Sequence, residues 1–150
     1  VHDTLTAAGF EHYEVSNYAL PGFRARHNAS YWHGTKYLGI GPAAHSFDGE
    51  ERHWNASSVE KYIAGAPAGK EVLTRRDRFN EYVMTALRTV EGIDLEEAAA
   101  RFGAKRLARM QEEAAPFLRS GTLRIARGRM ALPPEKFLIS DAVIGALFET

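Results

Sequence analysis

The chain has 150 residues, of which 45% are apolar, and its 19 basic side chains equal its 19 acidic ones in number. A chain of this length can bury a real core, as one domain or as two small ones, and its charge balance gives no general attraction to nucleic acid or to anionic membranes. The absence of cysteine excludes disulfides, thiolate metal sites and iron–sulfur ligation by this chain.

The first predicted element is the end of a helix, residues 1–8, whose beginning is missing, so we expect a fragment of a longer protein. No apolar run approaches the ~20 residues of a transmembrane helix, and we expect no signal peptide. Alternating apolar and polar residues predict a strand over 10–15, and residues 37–41 predict a short buried strand. This order suits the end of an α/β sheet, where sites lie beyond the strands' carboxyl ends.

A stretch with Gly65 and Pro67 and no apolar period is the best candidate for a linker. Gly and Pro interrupt regular structure, so we place the domain boundary here. The predicted domains are residues 1–66 and residues 67–150.

The second half of the chain reads as helices. Apolar residues at helical spacing predict three of them, at residues 79–90, 94–102 and 107–118. Two helix starts carry the capping-box pattern, at Thr74 with Asp77 and at Asp94 with Glu97. In the third helix, Pro116 predicts a kink or a restart, because proline removes a backbone donor.

A hairpin is predicted around Arg127-Gly128, where two short apolar runs meet a turn signal. Ser140 is then expected to cap a final helix. Three helices, a hairpin and a closing helix form a winged-helix-like order. The predicted fold class is therefore α/β followed by a helical, winged-helix-like C-terminal domain.

Candidate functional residues concentrate between Arg24 and Ser46. If this segment is helical at its start, His27 and Tyr31 lie on one face, four residues apart. An imidazole can ligate iron and flat aromatic rings can lie against a flat macrocycle, so His27, Tyr31 and Trp32 are candidates for a tetrapyrrole site. Arg24 and Arg26 could pair with propionate-type carboxylates.

Residue types alone favour a plainer interpretation of the same segment. A single histidine without a defined ligand set is a weak signal. His27 and Asn28 would then bond to backbone groups, and the neighbouring rings would pack in the core.

Three other patterns leave alternatives open. Gly39-x-Gly41 lacks the third glycine of a dinucleotide fingerprint, and fits either close approach to a ligand or a tight strand exit. A zinc triad of His27, His33 and His45 has no recognised spacing. A local excess of basic residues favours nucleic-acid binding, but a solvated face is preferred, since acids interrupt it. These residues are Arg101, Lys105, Arg106, Arg109, Arg119, Arg124, Arg127 and Arg129.

Five segments resemble the HemW heme chaperones, which are relatives of the oxygen-independent coproporphyrinogen III oxidases (HemN) in the radical S-adenosylmethionine superfamily. They are YEVSNYALPGF at 13–23, RHNASYW at 26–32, YLGIGPAAHS at 37–46, RMAL at 129–132 and LISD at 138–141. Arg52 with Asn55, and Tyr62-Ile63, continue the match. The segment His27-Asn28-x-x-Tyr31-Trp32 matches the motif that separates HemW proteins from HemN oxidases. The resemblance covers essentially the whole chain.

The resemblance implies a fold and cofactors that extend beyond this chain. Residues 1–66 would be the last strands of a partial (β/α) radical-SAM barrel with their extension, and residues 67–150 the HemN-type C-terminal domain. The [4Fe–4S] cluster of the family needs three cysteines, which would lie upstream. Heme would be held by His27, with Asn28, Tyr31, Trp32, Arg24 and Arg26 around it. The exit from Gly39 to Ser46, which includes Gly41, would face the S-adenosylmethionine site, with Ala44 and His45 nearest the nucleoside.

The function that this resemblance implies is binding of heme and its transfer to acceptor proteins, in the cytoplasm. Within the same superfamily, an alternative is oxidative decarboxylation of coproporphyrinogen III, so whether the chain belongs to an enzyme is left open. An alternative of another class is a winged-helix nucleic-acid-binding module, although we expect no nucleic-acid partner.

Overall fold

The structure, a computed structural model, describes residues 1–32, 34–67 and 69–150. It divides into two compact units, one of Val1–His33 with Phe79–Thr150 and one of Gly34–Arg78. The predicted domain boundary at residue 66 falls inside the second of these units, and the predicted division into domains stays a prediction. The mixed α/β architecture with a helical C-terminal part is confirmed.

The first unit begins with a helix and a two-stranded antiparallel sheet, followed by a second short helix. These are α1 (His2–Ala7), β1 (Glu11–Glu14), β2 (Asn17–Ala19) and α2 (Arg26–Trp32). Gly9 follows α1 with a φ of 86°, the left-handed conformation that glycine adopts most readily. The helix tail and the first strand are therefore where the sequence predicts them.

Strand β1 does not alternate between core and solvent as its sequence suggests, because three of its four residues are buried. His12 stacks on Tyr18 at 4.1 Å and meets the edge of Phe137 at 4.9 Å between ring centroids. Glu14 is fully buried. Both faces of the strand are thus covered, which its local pattern could not indicate.

The second half of this unit is the winged-helix-like domain. Its elements are α4 (Arg75–Leu87, which starts in the other unit), β6 (Ile93–Asp94), α5 (Leu95–Phe102), α6 (Ala104–Arg119), β7 (Arg124–Ala126), β8 (Arg129–Ala131), a 3-10 helix (Pro134–Ile139) and α7 (Ser140–Leu147). The strands pair antiparallel in the order β6-β8-β7. The side chains of Val83, Leu87, Ile93 and Met130 are completely buried at the centre of the core.

Local signals placed most of these elements correctly. The Asp94 side chain accepts a hydrogen bond from the Glu97 amide at 3.0 Å, and Thr74 and Asp77 form the reciprocal bonds of a capping box. Arg127 and Gly128 both have positive φ, as a two-residue hairpin turn requires.

The predicted cap at Ser140 is wrong, and of the two alternatives given for Pro116 the restart is excluded while the kink stays a prediction. Helix α6 continues through Pro116 to Arg119 without a restart. Ser140 is the first residue of α7 rather than its cap, and its side chain makes no capping bond. The reason is that the preceding 3-10 helix, opened by Pro134 at its first turn, already brings the chain into helical geometry before Ser140.

Helix α4 is tied to the start of α5 by a tyrosine. The Tyr82 hydroxyl donates to the Asp94 carbonyl at 3.1 Å and accepts from the Asp94 amide at 3.2 Å. Burial raises the pKa of Tyr82 to about 12, so the phenol stays protonated and keeps its donor role at neutral pH.

Residues 89–90, just after α4, run beside β1. The Val15 amide donates to the Arg88 carbonyl at 3.0 Å, and the Val90 amide donates to the Tyr13 carbonyl at 3.1 Å. These backbone bonds join the N-terminal strand to the helical domain as one unit.

The second unit is a three-stranded antiparallel sheet in the order β3-β4-β5, with one short helix and the beginning of α4. Its elements are β3 (His45–Phe47), β4 (Glu51–Trp54), α3 (Val59–Ile63) and β5 (Gly69–Val72). Ser58 caps α3 by accepting from the Lys61 amide.

The buried strand predicted for residues 37–41 does not form. Tyr37 makes an isolated bridge to Phe47, whereas Leu38 and Ile40 are 80% and 83% exposed. Beyond Tyr37 the segment is a loop, in which the amides of Gly39 and Gly41 donate to side chains rather than to a neighbouring strand.

Candidate functional site

The segment that carries the heme prediction is the short helix α2, Arg26–Trp32. The prediction required this segment to be helical, which it is, and His27 and Tyr31 lie on one face of the helix. The Tyr31 hydroxyl is 3.3 Å from His27 Nε2, and the two rings meet edge to face, 5.2 Å apart at 84°. His27 is exposed and Tyr31 is 43% exposed. The pair is therefore on the surface and not packed in the core.

The other two residues of the motif differ in burial. Asn28 is exposed, whereas Trp32 is partly buried. The indole nitrogen of Trp32 is buried without a hydrogen-bond partner in the part of the chain that the structure describes. A buried N–H without an acceptor is unusual, because the single donor of a buried tryptophan normally finds a hydrogen-bond partner.

Arg24 and Arg26 are separated by their surroundings. The Arg24 guanidinium donates to Glu11 at 2.9 Å and to Glu91 at 2.6 Å, and lies 5.4 Å from the centre of the Tyr13 ring. Burial lowers its pKa, but the bonds to both glutamates outweigh burial, so the pKa of Arg24 is raised. The Arg24 guanidinium is already paired with two carboxylates of the protein, so it is poorly placed to bind a ligand carboxylate.

Arg26 is exposed at the start of α2. Among residues 1–32, 34–67 and 69–150 it forms no ion pair. Of the two arginines predicted to bind a carboxylate, Arg26 is thus the one whose guanidinium is available.

The segment from Gly39 to Ser46 is a loop closed by side chains of the second unit. Asn55 Nδ2 donates to the carbonyls of Gly39 at 3.3 Å and Gly41 at 2.9 Å. The Gly39 amide donates to Ser46 Oγ at 3.0 Å, and the Gly41 amide to the Tyr62 hydroxyl at 3.1 Å. The loop therefore has a fixed shape.

Two residues of this loop adopt left-handed backbone conformations. Gly41 has a φ of 105° and Ala43 a φ of 57°, and the latter costs about 1–2 kcal/mol for a residue with a side chain. The Ala44 carbonyl accepts from the Asn55 amide at 3.0 Å. His45 begins β3, is exposed, and lies 6.0 Å from the Trp54 ring. The cofactor-binding role of Gly39, Gly41, Ala44 and His45 stays a prediction.

The zinc triad of His27, His33 and His45 stays a prediction. His33 lies outside the described residues, and neither His27 nor His45 belongs to a group of three potential ligands within the described ranges. Such a group is formed instead by Asp48, Glu51 and His53, whose ligand atoms lie within 4.8 Å of one another. Asp48 already accepts bonds from the amides of residues 50 and 51, so it also acts as a turn residue.

The basic residues between 100 and 129 are largely paired with acids. Ion pairs of 4 Å or less involve five of the eight: Arg101 with Glu97, Arg106 and Arg109 with Glu149, Arg124 with Glu135, and Arg129 with Asp94. Phosphate binding depends on cations that are free to replace counterions. The pairing leaves less of the positive charge for a nucleic acid than the sequence indicates.

Sequence reasoning did not foresee the contacts that shape these two segments, although Asn55 and Tyr62 are among the positions that carry the family resemblance. Asn55 and Tyr62 hold the Gly39–Ser46 loop, and Glu11 and Glu91 hold Arg24. Their partners are 13 to 67 residues away along the chain, so no local pattern could identify them.

Comparison with known proteins gives a consistent result. Residues 73–139 match the family model of the HemN C-terminal domain. The heme chaperone HemW of Mycobacterium tuberculosis is 38% identical over 149 residues, which cover 95% of this chain and 36% of the relative. HemW of Lactococcus lactis is 36% identical over 106 residues, which cover 68% of this chain and 28% of the relative.

Among solved structures, coproporphyrinogen III oxidase (HemN) from Escherichia coli, a radical SAM enzyme, matches 97% of this chain and 38% of its own, with a TM-score of 0.72 at 17% identity. The fold is therefore that of a HemN-type protein. By its sequence relatives, the chain belongs to the HemW branch of that family. It spans about a third of the length of the curated mycobacterial relative. None of the helices in the described ranges is long and apolar enough to cross a membrane.

Proposed function

We propose that this chain is part of a heme chaperone, which binds heme and delivers it to acceptor proteins in the cytoplasm. The observation that carries the proposal is the exposed face of α2, where His27 presents an imidazole to solvent beside an aromatic ring. Its curated relatives bear the name of heme chaperones. An accessible imidazole nitrogen is the common axial ligand of heme iron.

Each residue of the motif has a proposed role. His27 faces the iron, while Tyr31, Trp32 and Asn28 contact or support the macrocycle. Arg26 pairs with a heme carboxylate, because its guanidinium is exposed. Arg24 holds this region to Glu11 and Glu91 and acts on heme only through the fold.

We further propose that the whole protein binds S-adenosylmethionine and a [4Fe–4S] cluster, as the radical SAM family does. This chain has no cysteine, so it supplies no thiolate to the cluster. Gly39, Gly41, Ala44 and His45 would approach the nucleoside. The amides of Gly39 and Gly41 already donate to Ser46 and Tyr62. The nucleoside would therefore make van der Waals contact with this loop rather than accept hydrogen bonds from those two amides.

Replacing His27 with alanine in the full-length protein is expected to weaken heme binding by at least about tenfold and to alter the Soret absorbance, because an iron ligand is lost. Titration with hemin, followed by absorbance, measures both. His53→Ala is the matched control, since this histidine lies on β4 beside Asp48 and Glu51. An unchanged spectrum and affinity in His27→Ala would remove the proposed role.

Substitution of the two arginines is expected to separate binding from stability. Arg26→Ala should weaken heme affinity by about three- to tenfold, because a charge-assisted bond to a carboxylate is lost, with an unchanged melting temperature. Arg24→Ala should instead lower the free energy of unfolding by about 1 kcal/mol, since its partly exposed pairs are screened by solvent. Thermal unfolding and hemin titration of both variants check this, and equal effects on affinity would contradict the assignment.

A further inference from the structure

The hydroxyl of Tyr31 lies against the nitrogen of His27 that would bind iron. We propose that Tyr31 is a release residue, whose phenol competes with heme iron for His27 Nε2 and so keeps heme binding reversible. This inference rests on the proposed function, since it requires His27 to be an iron ligand.

The competition follows from the chemistry of the imidazole ring. A neutral imidazole has one N–H donor and one acceptor nitrogen with a single lone pair. At 3.3 Å, the Tyr31 hydroxyl is within hydrogen-bond distance of Nε2, and it donates there when the His27 proton is on Nδ1. Iron needs the same lone pair. The two partners therefore exclude each other at this atom.

The geometry allows the exchange without unfolding the helix. Residues four apart on α2 keep the two side chains adjacent, and the edge-to-face arrangement of the rings directs the hydroxyl to Nε2. Because Tyr31 is 43% exposed, its hydroxyl can turn to water when iron arrives. An Fe–N bond then forms as the O–H···N bond breaks, and the phenol stays protonated, so no electron or proton leaves the pair.

The reverse step gives heme a route out. As iron leaves, the phenol bonds to Nε2 again, and the site returns to its heme-free state without an unsatisfied nitrogen. A protein that hands heme to another protein needs such reversibility, whereas a permanent heme protein does not.

Tyr31→Phe keeps the ring and removes only the competing hydroxyl. In the full-length protein we expect hemin to bind about two- to tenfold more tightly, the range that a hydrogen bond of ordinary net strength provides. Hemin release to excess apomyoglobin, followed by absorbance, should slow by a similar factor. Tyr37→Phe, a substitution on the other compact unit, is the matched control and should change neither measurement.

The double variant and a heme-free measurement make the test decisive. In a His27→Ala background, Tyr31→Phe should have no effect, because the shared nitrogen is gone. In the heme-free protein, the 15N chemical shift of His27 Nε2 should move when the hydroxyl is removed.

Unchanged or weaker hemin binding in Tyr31→Phe would overturn the inference, and weaker binding would show that the phenol supports heme directly. If His27→Ala itself leaves hemin binding unchanged, the proposed function fails instead. The two failures are distinguished by His27→Ala, which still weakens hemin binding when only the inference about Tyr31 fails.

Discussion

Replacing Gly92 with alanine is expected to lower the free energy of unfolding by about 2–5 kcal/mol, the sum of left-handed backbone strain and overpacking. Gly92 has a φ of 65°, and a Cβ there would lie 2.3 Å from the Met130 carbonyl oxygen and 2.5 Å from Ala131 Cβ. Both contacts belong to β8, the central strand of the winged-helix sheet. Since small domains have marginal stability, this loss is a large fraction of the total.

A matched control separates the two causes of the Gly92 effect. Gly121 has a similar φ of 72°, but a Cβ there would meet no atom within 4 Å. Gly121→Ala should therefore cost only the backbone strain, about 1–2 kcal/mol. Urea unfolding of both variants, followed by circular dichroism, gives the two free energies. Equal losses would show that crowding against β8 contributes nothing.

Gly92 also illustrates what sequence can and cannot predict. Its place after a run of helical apolar residues predicts that it ends the helix, whereas α4 already ends at Leu87. Its φ of 65° is nevertheless the left-handed conformation that glycine favours at such an interruption. Its close approach to β8 depends on Met130, 38 positions further on, and is visible only in the folded chain. A local signal thus predicts the conformation and says nothing of the crowding.

The same distinction explains the other outcomes in the fold. The caps at Thr74 and Asp94 and the turn at Arg127 are decided by residues within a few positions, and all three are confirmed. The burial of Glu14 and the exposure of Leu38 depend on neighbours from distant parts of the chain, and periodicity misjudged both strands. Periodicity reports one face of an element, so it fails where both faces are covered or neither is.

In the candidate site, spacing predicts the pairing of His27 with Tyr31, because residues four apart meet on any helix. Residue type could not distinguish Arg24 from Arg26, since both carry the same charge. The structure separates them through Glu91, which is 67 positions from Arg24. The role of an arginine is therefore fixed by which carboxylates the fold brings to it.

The second large effect is expected at Gly39, in the loop proposed to approach S-adenosylmethionine. A Cβ at this position would lie 2.1 Å from the His45 carbonyl oxygen and 2.7 Å from its carbonyl carbon. Backbone atoms cannot turn aside as a side chain can, so the loop must move away from β3. The bonds of Gly39 to Ser46 and Asn55 would be lost with it.

Gly39→Ala should consequently destabilise the second unit by about 1–3 kcal/mol. It should also speed hydrogen exchange of the backbone amides of residues 39 and 41. Hydrogen exchange measured by NMR reports these positions individually. Gly41→Ala is the comparison, because its φ of 105° is strained for alanine while its Cβ would meet nothing within 4 Å. If the Gly39 variant retains slow exchange at these amides, then the approach of β3 is not what holds the loop. Loss of protection would instead show that the loop's shape depends on the missing side chain at residue 39, as the close contact with His45 requires.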